Sequence, residues 1–142
     1  MIKEAIKHYL EVNSFTEFAP RVVLFDMDGV LYNSMPNHAV AWQEAMSQFG
    51  IHFTADDSYA TEGARGVDTI RHYVRMQQGK EITPEEAQRM YDVKTEIFHR
   101  MPVAEIFPGV LPLMQKIKDA GITIGVVTGS GQRPLILRLL DD

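Results

Sequence analysis

The 142-residue chain has no cysteine, which excludes structural disulfides, thiolate metal sites and cysteine nucleophiles. It has no run of lysine or arginine, and no apolar run approaching the roughly 20 residues of a membrane span. The charge is acidic, 19 Asp and Glu against 14 Lys and Arg, for a net −5. That balance argues against nucleic acid or an anionic membrane surface as a partner. Met1 to His8 interleave charged and apolar residues too finely for a signal peptide. The expectation is a soluble, cytoplasmic protein. With 45% hydrophobic and 23% charged residues, the composition is ordinary for a globular chain that buries one core.

Hydrophobic periodicity gives an order of elements. Ile2, Ala5, Ile6, Tyr9 and Leu10 predict an amphipathic helix over residues 2–12. Val22 to Phe25 is a short β-branched run, suited to a strand buried on both faces, and Ile122 to Val127 is a second. The stretch between them reads as helices. Met35, Ala39, Trp42, Met46 and Phe49 share one face, with Gly50 as a left-handed stop. Val67, Ile70 and Val74 begin another helix, ending near Gly79. Thr83, Pro84 and Glu86 form a start signal for a third, with Ala87, Met90, Tyr91, Lys94, Ile97 and Phe98 on one face. Val110 to Ile117 is a short helix before Gly121, and a last helix starts near Pro134 and carries Leu135, Leu139 and Leu140. The fold class expected is α/β: a parallel, Rossmann-like sheet into which a helical block is inserted. The divisions are a helical extension over 1–19, a core from 20–34 and 107–142, and the inserted helices over 35–106.

Two segments carry chemistry. Asp26-Met27-Asp28-Gly29 follows the first strand. In extended chain, residues i and i+2 point the same way, so both carboxylates aim at one spot. Ligands of parallel α/β sheets bind beyond the carboxyl ends of strands. Two acids there repel and need a cation or a shared proton. One then serves as nucleophile and the other as general acid. The alternative is an Asp-rich turn closing a strand; an EF-hand loop fails because Gly29 comes too early. Thr128-Gly129-Ser130 follows the second strand and offers a hydroxyl and unhindered backbone N–H groups, which suit a phosphate oxygen. Its alternative is a small-residue turn with Ser130 as a helix cap.

The stretch from Val22 to Ser34 resembles the first signature of the haloacid dehalogenase-like phosphatases and phosphomutases, and Val126 to Ser130 resembles their second. Phe107 to Val110 resembles the segment re-entering the core after the cap, and the helical block resembles the α-helical cap of the β-phosphoglucomutase and phosphoglycolate phosphatase subgroup. The resemblance covers residues 20–140. It implies that Asp26 is the nucleophile and forms an aspartyl-phosphate, and that Asp28 is the general acid/base. It implies that Asp26 and the Asp28 carbonyl bind Mg²⁺, and that Thr128, Gly129 and Ser130 hold the phosphoryl oxygens. Glu62-Gly63-Ala64-Arg65-Gly66 resembles the cap's specificity loop. There Arg65 would grip a second anionic group and Glu62 would disfavour one, unless it bound a cation or a hydroxyl; a solvated loop is the alternative. His38 and Trp42 resemble a His and a Trp of β-phosphoglucomutases. His38 would position Asp28 or a sugar hydroxyl, while Trp42 reads better as core. His8, His52, His72 and His99 share no ligand spacing, and Met76, Met90, Met101 and Met114 read as core filler.

The chain departs from the family in one respect. After Thr128 it has no lysine, and Asp141 and Asp142 are not preceded by a further strand-like run. The family's later lysine and acidic pair are therefore missing, and the chain resembles the first two-thirds of a typical member. Two strands are few for a parallel sheet. Three functions follow. The first is a Mg²⁺-dependent hydrolase of a small phosphate ester or phosphoanhydride, whose substrate is a sugar phosphate, phosphoglycolate or pyrophosphate. The second is a sugar-phosphate mutase. The third is a non-catalytic fragment. Oligomeric state is not legible.

Overall fold

The computed structural model describes residues 1–129 and Leu137. The expected last helix near Pro134, and Ser130, lie outside the described residues. Eight elements follow in order: α1 (Ile2–Asn13), β1 (Val22–Phe25), α2 (Met35–Gln48), α3 (Ala55–Ala60), α4 (Gly66–Gln78), α5 (Pro84–Arg100), α6 (Val110–Asp119) and β2 (Thr123–Val126).

β1 and β2 pair in parallel, with Val22 opposite Thr123 and Phe25 opposite Val126. The ladder continues one residue further at its carboxyl end, where the Val127 N–H donates to the Phe25 carbonyl at 2.8 Å. α6 packs beside β2, and Phe25 meets Val110 and Met114 of that helix. Burial on both faces, expected for these strands, is not what β1 shows. Val22 is 51% and Leu24 65% exposed, because among the described residues only one face of the sheet is covered.

Of the five helices between the strands, α2, α4 and α5 enclose a core of their own. Trp42 and Met46 of α2 meet Ile70, Tyr73 and Val74 of α4, Ala87 of α5, and Ile51 and Phe53. A second cluster joins the block to the end of β1: Met27, Leu31 and Tyr32 pack against Ala41 and Ala45 of α2 and Ile97 and Phe98 of α5. α2 and α5 thus carry two buried faces each, one toward their sister helices and one toward the strand end. α1 buries no residue. Met76 is 59% exposed, so it is not core filler; its position on α4 faces away from both clusters.

Local chemistry explains the boundaries. At α5 the Thr83 hydroxyl accepts from the Glu86 N–H at 3.2 Å, and the Glu86 carboxylate accepts from the Thr83 N–H at 2.8 Å. This closes two otherwise orphaned donors. α3 is one element that periodicity does not find, since six residues make too little of a pattern. It is nucleated by a similar reciprocal cap between Thr54 and Asp57. Asp57 also accepts from the Tyr73 hydroxyl at 2.8 Å, and these hydrogen bonds, Thr54 first, hold its carboxyl below the usual range. α4 starts at Gly66, where a Cβ would stand 2.2 Å from the Tyr91 ring.

Removing the cap hydroxyl with Thr83→Ala should lower the unfolding free energy by about 1 kcal/mol, and Thr83→Asn should recover most of it. Urea denaturation of the three chains checks this; equal midpoints for Thr83→Ala and the parent would show that the cap contributes nothing.

Candidate active site

The parallel register places the carboxyl ends of β1 and β2 side by side. Asp26 leaves one strand end and Thr128 the other, and both line one cavity of about 280 Å³ together with Asp28 and Gly129. The two acids reach the cavity by a different path from the extended chain expected. The Met27 carbonyl accepts from the N–H groups of Leu31 and Tyr32, each at 3.0 Å, and the Gly29 N–H donates to the Tyr32 carbonyl at 2.9 Å. The chain therefore turns sharply after Met27. Gly29 adopts φ +73°, and a Cβ there would press on Met35 Cγ at 3.1 Å, so glycine suits this position both for conformation and for space. Asp26 stays exposed while Asp28 is buried, 8% exposed.

Burial of Asp28 is matched by donors. Its Oδ1 accepts from the Ser34 hydroxyl at 2.5 Å and lies 3.2 Å from His38 Nε2. His38 in turn lies 2.8 Å, at Nδ1, from Lys94 Nζ. Lys94 is 1% exposed, with its ammonium 5.1 Å from the Phe98 ring centroid, 5.4 Å from Trp42 and 5.7 Å from Tyr91. Burial lowers the Lys94 pKa to about 8, partly opposed by the charge of Asp28. Burial first, and then the same carboxylate, raises the Tyr91 phenol above its ordinary range.

The structure therefore brings together Asp26, Asp28, His38, Glu62, Arg65, Thr128 and Gly129 around one cavity. Glu62 and Arg65 are exposed there. Arg65 reaches Asp68 at 3.9 Å, an open ion pair of little energetic weight. Glu62 Oε1 comes within 3.7 Å of the position a Gly29 Cβ would take, so it overhangs the turn that carries Asp28. Trp42 belongs to the helical core and also borders the cavity. His8, His52, His72 and His99 are all exposed. Sequence reasoning assigned no role to Ser34 or Lys94. The signal for Lys94 was available: a lone cation on the apolar stripe of α5, between Tyr91 and Ile97, has no reason to be there unless something inside receives it.

The donor set suits a hard cation. Asp26 and Asp28 offer carboxylate and carbonyl oxygens, and one or two carboxylates completed by water and substrate phosphate is the usual protein share of a Mg²⁺ site. Among the described residues no group of three or more His, Cys, Asp or Glu could hold a metal by itself. No helix among them is long and apolar enough to cross a membrane.

The buried cation sets a pH dependence of stability. The folded-state pKa of Lys94 is about 8 against an ordinary 10.5, so between these values the unfolded chain binds more protons at this position. The cost of burying the charge is full below pH 8 and fades as pH rises toward 10.5. The unfolding free energy of the parent minus that of Lys94→Met should thus rise across that window in urea titrations; a flat difference would remove the buried charge from the account.

A sequence model of the haloacid dehalogenase-like hydrolases matches residues 20–142. Among curated proteins, the chain is 25% identical over 125 residues to a β-phosphoglucomutase of Bacillus subtilis, covering 84% of this chain and 55% of that protein. It is 24% identical over 119 residues to a phosphoglycolate phosphatase of Mannheimia succiniciproducens, covering 80% and 53%. Among solved structures, a Bacteroides vulgatus protein provisionally assigned as a β-phosphoglucomutase superposes with a TM-score of 0.88 at 43% identity, covering 98% of this chain and 56% of that one. The chain thus spans about half the length of the relatives it matches. The match over residues 20–142 makes the chain a member of the haloacid dehalogenase-like hydrolase family, and its parallel strand pair with a helix packed beside it agrees with that.

Proposed function

We propose that the chain carries the nucleophile half of a cytoplasmic, Mg²⁺-dependent phosphoryl-transfer site that hydrolyses a small phosphate ester or phosphoanhydride. The observation that supports this best is the convergence of Asp26, Asp28 and Thr128, from two strand ends, on one cavity. In this reading an Asp26 carboxylate oxygen attacks phosphorus in line and the bond to the leaving oxygen breaks, giving an aspartyl-phosphate. Asp28 gives its proton to the leaving oxygen. It then takes a proton from water as that water attacks the same phosphorus, which releases phosphate and restores both acids. The Thr128 hydroxyl and the Gly129 N–H hold the phosphoryl oxygens. The Asp26 carboxylate and the Asp28 carbonyl would hold Mg²⁺, which would supply the positive charge that lets a dianionic phosphate approach two acids. Positioning and electrostatics then carry most of the catalysis.

The helices α2 to α5 act as a cap over residues 35–106 and select the substrate. Arg65 suits a second anionic group, while Glu62 suits a hydroxyl or a cation. A sugar phosphate, phosphoglycolate or pyrophosphate fits this charge layout. A sugar-phosphate mutase is a second reading, supported by the 43% identical Bacteroides vulgatus structure; there a sugar hydroxyl replaces water as acceptor. A non-catalytic fragment is a third, and the half-length coverage of the relatives is consistent with it.

Phosphate release from these three substrate classes, with Mg²⁺ or with EDTA, tests the proposal. The expected result is Mg²⁺-dependent release that falls to background in Asp26→Asn and by about 10²- to 10⁴-fold in Asp28→Asn, with tritiated borohydride reducing the acyl-phosphate at Asp26 to labelled homoserine as phosphate leaves. Sugar-phosphate isomerisation without net release would favour the mutase. No release and no labelled Asp26 from any substrate would leave only the fragment.

A further inference from the structure

Tyr91 of α5 borders the cavity, and the steps above give it no part. Its ring lies against Gly66, the first residue of α4. A Cβ at that position would stand 3.0 Å from the ring's Cζ and closer still to Cε2 and Cδ2, so no side chain fits there while the ring stays. Gly66 is not among the glycines with positive φ, and glycine weakens a helix relative to alanine. What glycine supplies at this point is therefore space, and Tyr91 occupies it. The ring also faces Trp42 of α2, with centroids 5.8 Å apart.

The Tyr91 hydroxyl has no hydrogen-bond partner among the described residues. The same is true of the hydroxyl of Ser58 on α3, a residue that is 3% exposed and borders the same cavity. Among the described residues, the one buried side-chain polar atom sealed without a partner is Arg71 Nε. Neither hydroxyl is sealed, so each opens on the space it borders. Buried hydroxyls are ordinarily paired, and the open direction for this pair is the cavity. The neighbouring groups offer something different. Thr61 donates its hydroxyl proton to the Asp57 carbonyl at 2.8 Å. Glu62 as a carboxylate only accepts and Arg65 only donates, whereas Ser58 and Tyr91 do both without charge. Burial, and then the charge of Asp28, hold the phenol above its ordinary range, so it remains a neutral donor at neutral pH. A second phosphate or a carboxylate brings acceptors only and meets Glu62 with like charge. A substrate hydroxyl donates and accepts, as this pair does.

We propose that Tyr91 is a specificity-determining residue. Admitted by the missing side chain of Gly66, its hydroxyl joins that of Ser58 in a neutral subsite that binds a hydroxyl-bearing part of the substrate beyond its phosphate. Sugar monophosphates are then preferred to pyrophosphate and phosphoglycolate. The proposal rests on the phosphoryl-transfer reading of the cavity, but two of its three tests need no turnover.

Stability reads the packing. In the parent, Gly66→Ala drives a methyl into the ring and should lower the urea midpoint. In a Tyr91→Ala background the same change only replaces a helix-weakening glycine and should raise the midpoint; one sign in both backgrounds would overturn the pairing of Gly66 with Tyr91. Binding is read from ¹³Cζ-tyrosine spectra in Mg²⁺ buffer, with the Tyr91 signal assigned by its loss in Tyr91→Phe. Hexose or pentose monophosphates should shift that signal, while inorganic phosphate and pyrophosphate should move it no more than they move the signal of Tyr9. Equal shifts with pyrophosphate and the sugar phosphates, or no shift with any of them, would overturn the subsite. In the release assay, Tyr91→Phe, which keeps the ring, and Ser58→Ala should each raise KM for sugar monophosphates by about 3- to 10-fold relative to KM for pyrophosphate. An equal rise for every substrate would reduce both residues to packing. If no substrate is turned over, the phosphoryl-transfer reading fails, while the tyrosine shifts still decide the subsite.

Discussion

The parallel pairing of β1 with β2 is the constraint on which the site depends. Their register sets Phe25 beside Val126, and one further ladder bond, from Val127 to Phe25, carries the pairing to the last residue before the acids. Parallel strands share a direction, so both chains leave the sheet at the same edge. Asp26 and Thr128, which a hundred residues of sequence separate, become neighbours for that reason alone. An antiparallel pairing of the same two runs would put them at opposite ends of the sheet.

The inserted helices contribute more than a cover. α2 and α5 each have one face in the block's own core and another against Met27, Leu31 and Tyr32 at the strand end. Close-packed apolar contact of this kind holds a helix in place, because such interiors have few voids and low compressibility. The polar chain from Lys94 through His38 to Asp28 rides on that contact. A low-polarity surrounding makes each link of such a chain stronger and each missing link costlier. The cavity therefore combines an exposed acid, Asp26, with a buried one, Asp28, which accepts from Ser34 and lies beside His38. In the proposed reaction this asymmetry gives two chemically similar carboxylates different work.

Family membership and the site's chemistry rest on different supports. The match over residues 20–142 establishes the family, and the half-length coverage of the relatives is a separate fact about how much of their fold this chain spans. The open faces of Val22 and Leu24 agree with a sheet that has few strands among the described residues.

Much was legible in the residues themselves. The Thr83 cap, the Gly79 stop and the two β-branched runs are local features, decided within a few residues by hydrogen bonding and steric limits, and they mark the elements wherever the chain folds. The acids of 26–28 and the small residues of 128–129 were likewise readable as neighbours at one sheet edge once both were seen to follow strands, and they line one cavity. Other features needed the tertiary structure. The sharp turn after Met27 depends on the packing of Leu31 and Tyr32, and α3 is too short to show a period. The partnership of Lys94 with His38 and Asp28 joins residues far apart in sequence. Spacing on α5 could show that a cation lay on an apolar face, but only the meeting of α5, α2 and the strand end decides what receives it, because a buried charge is defined by its neighbours in space.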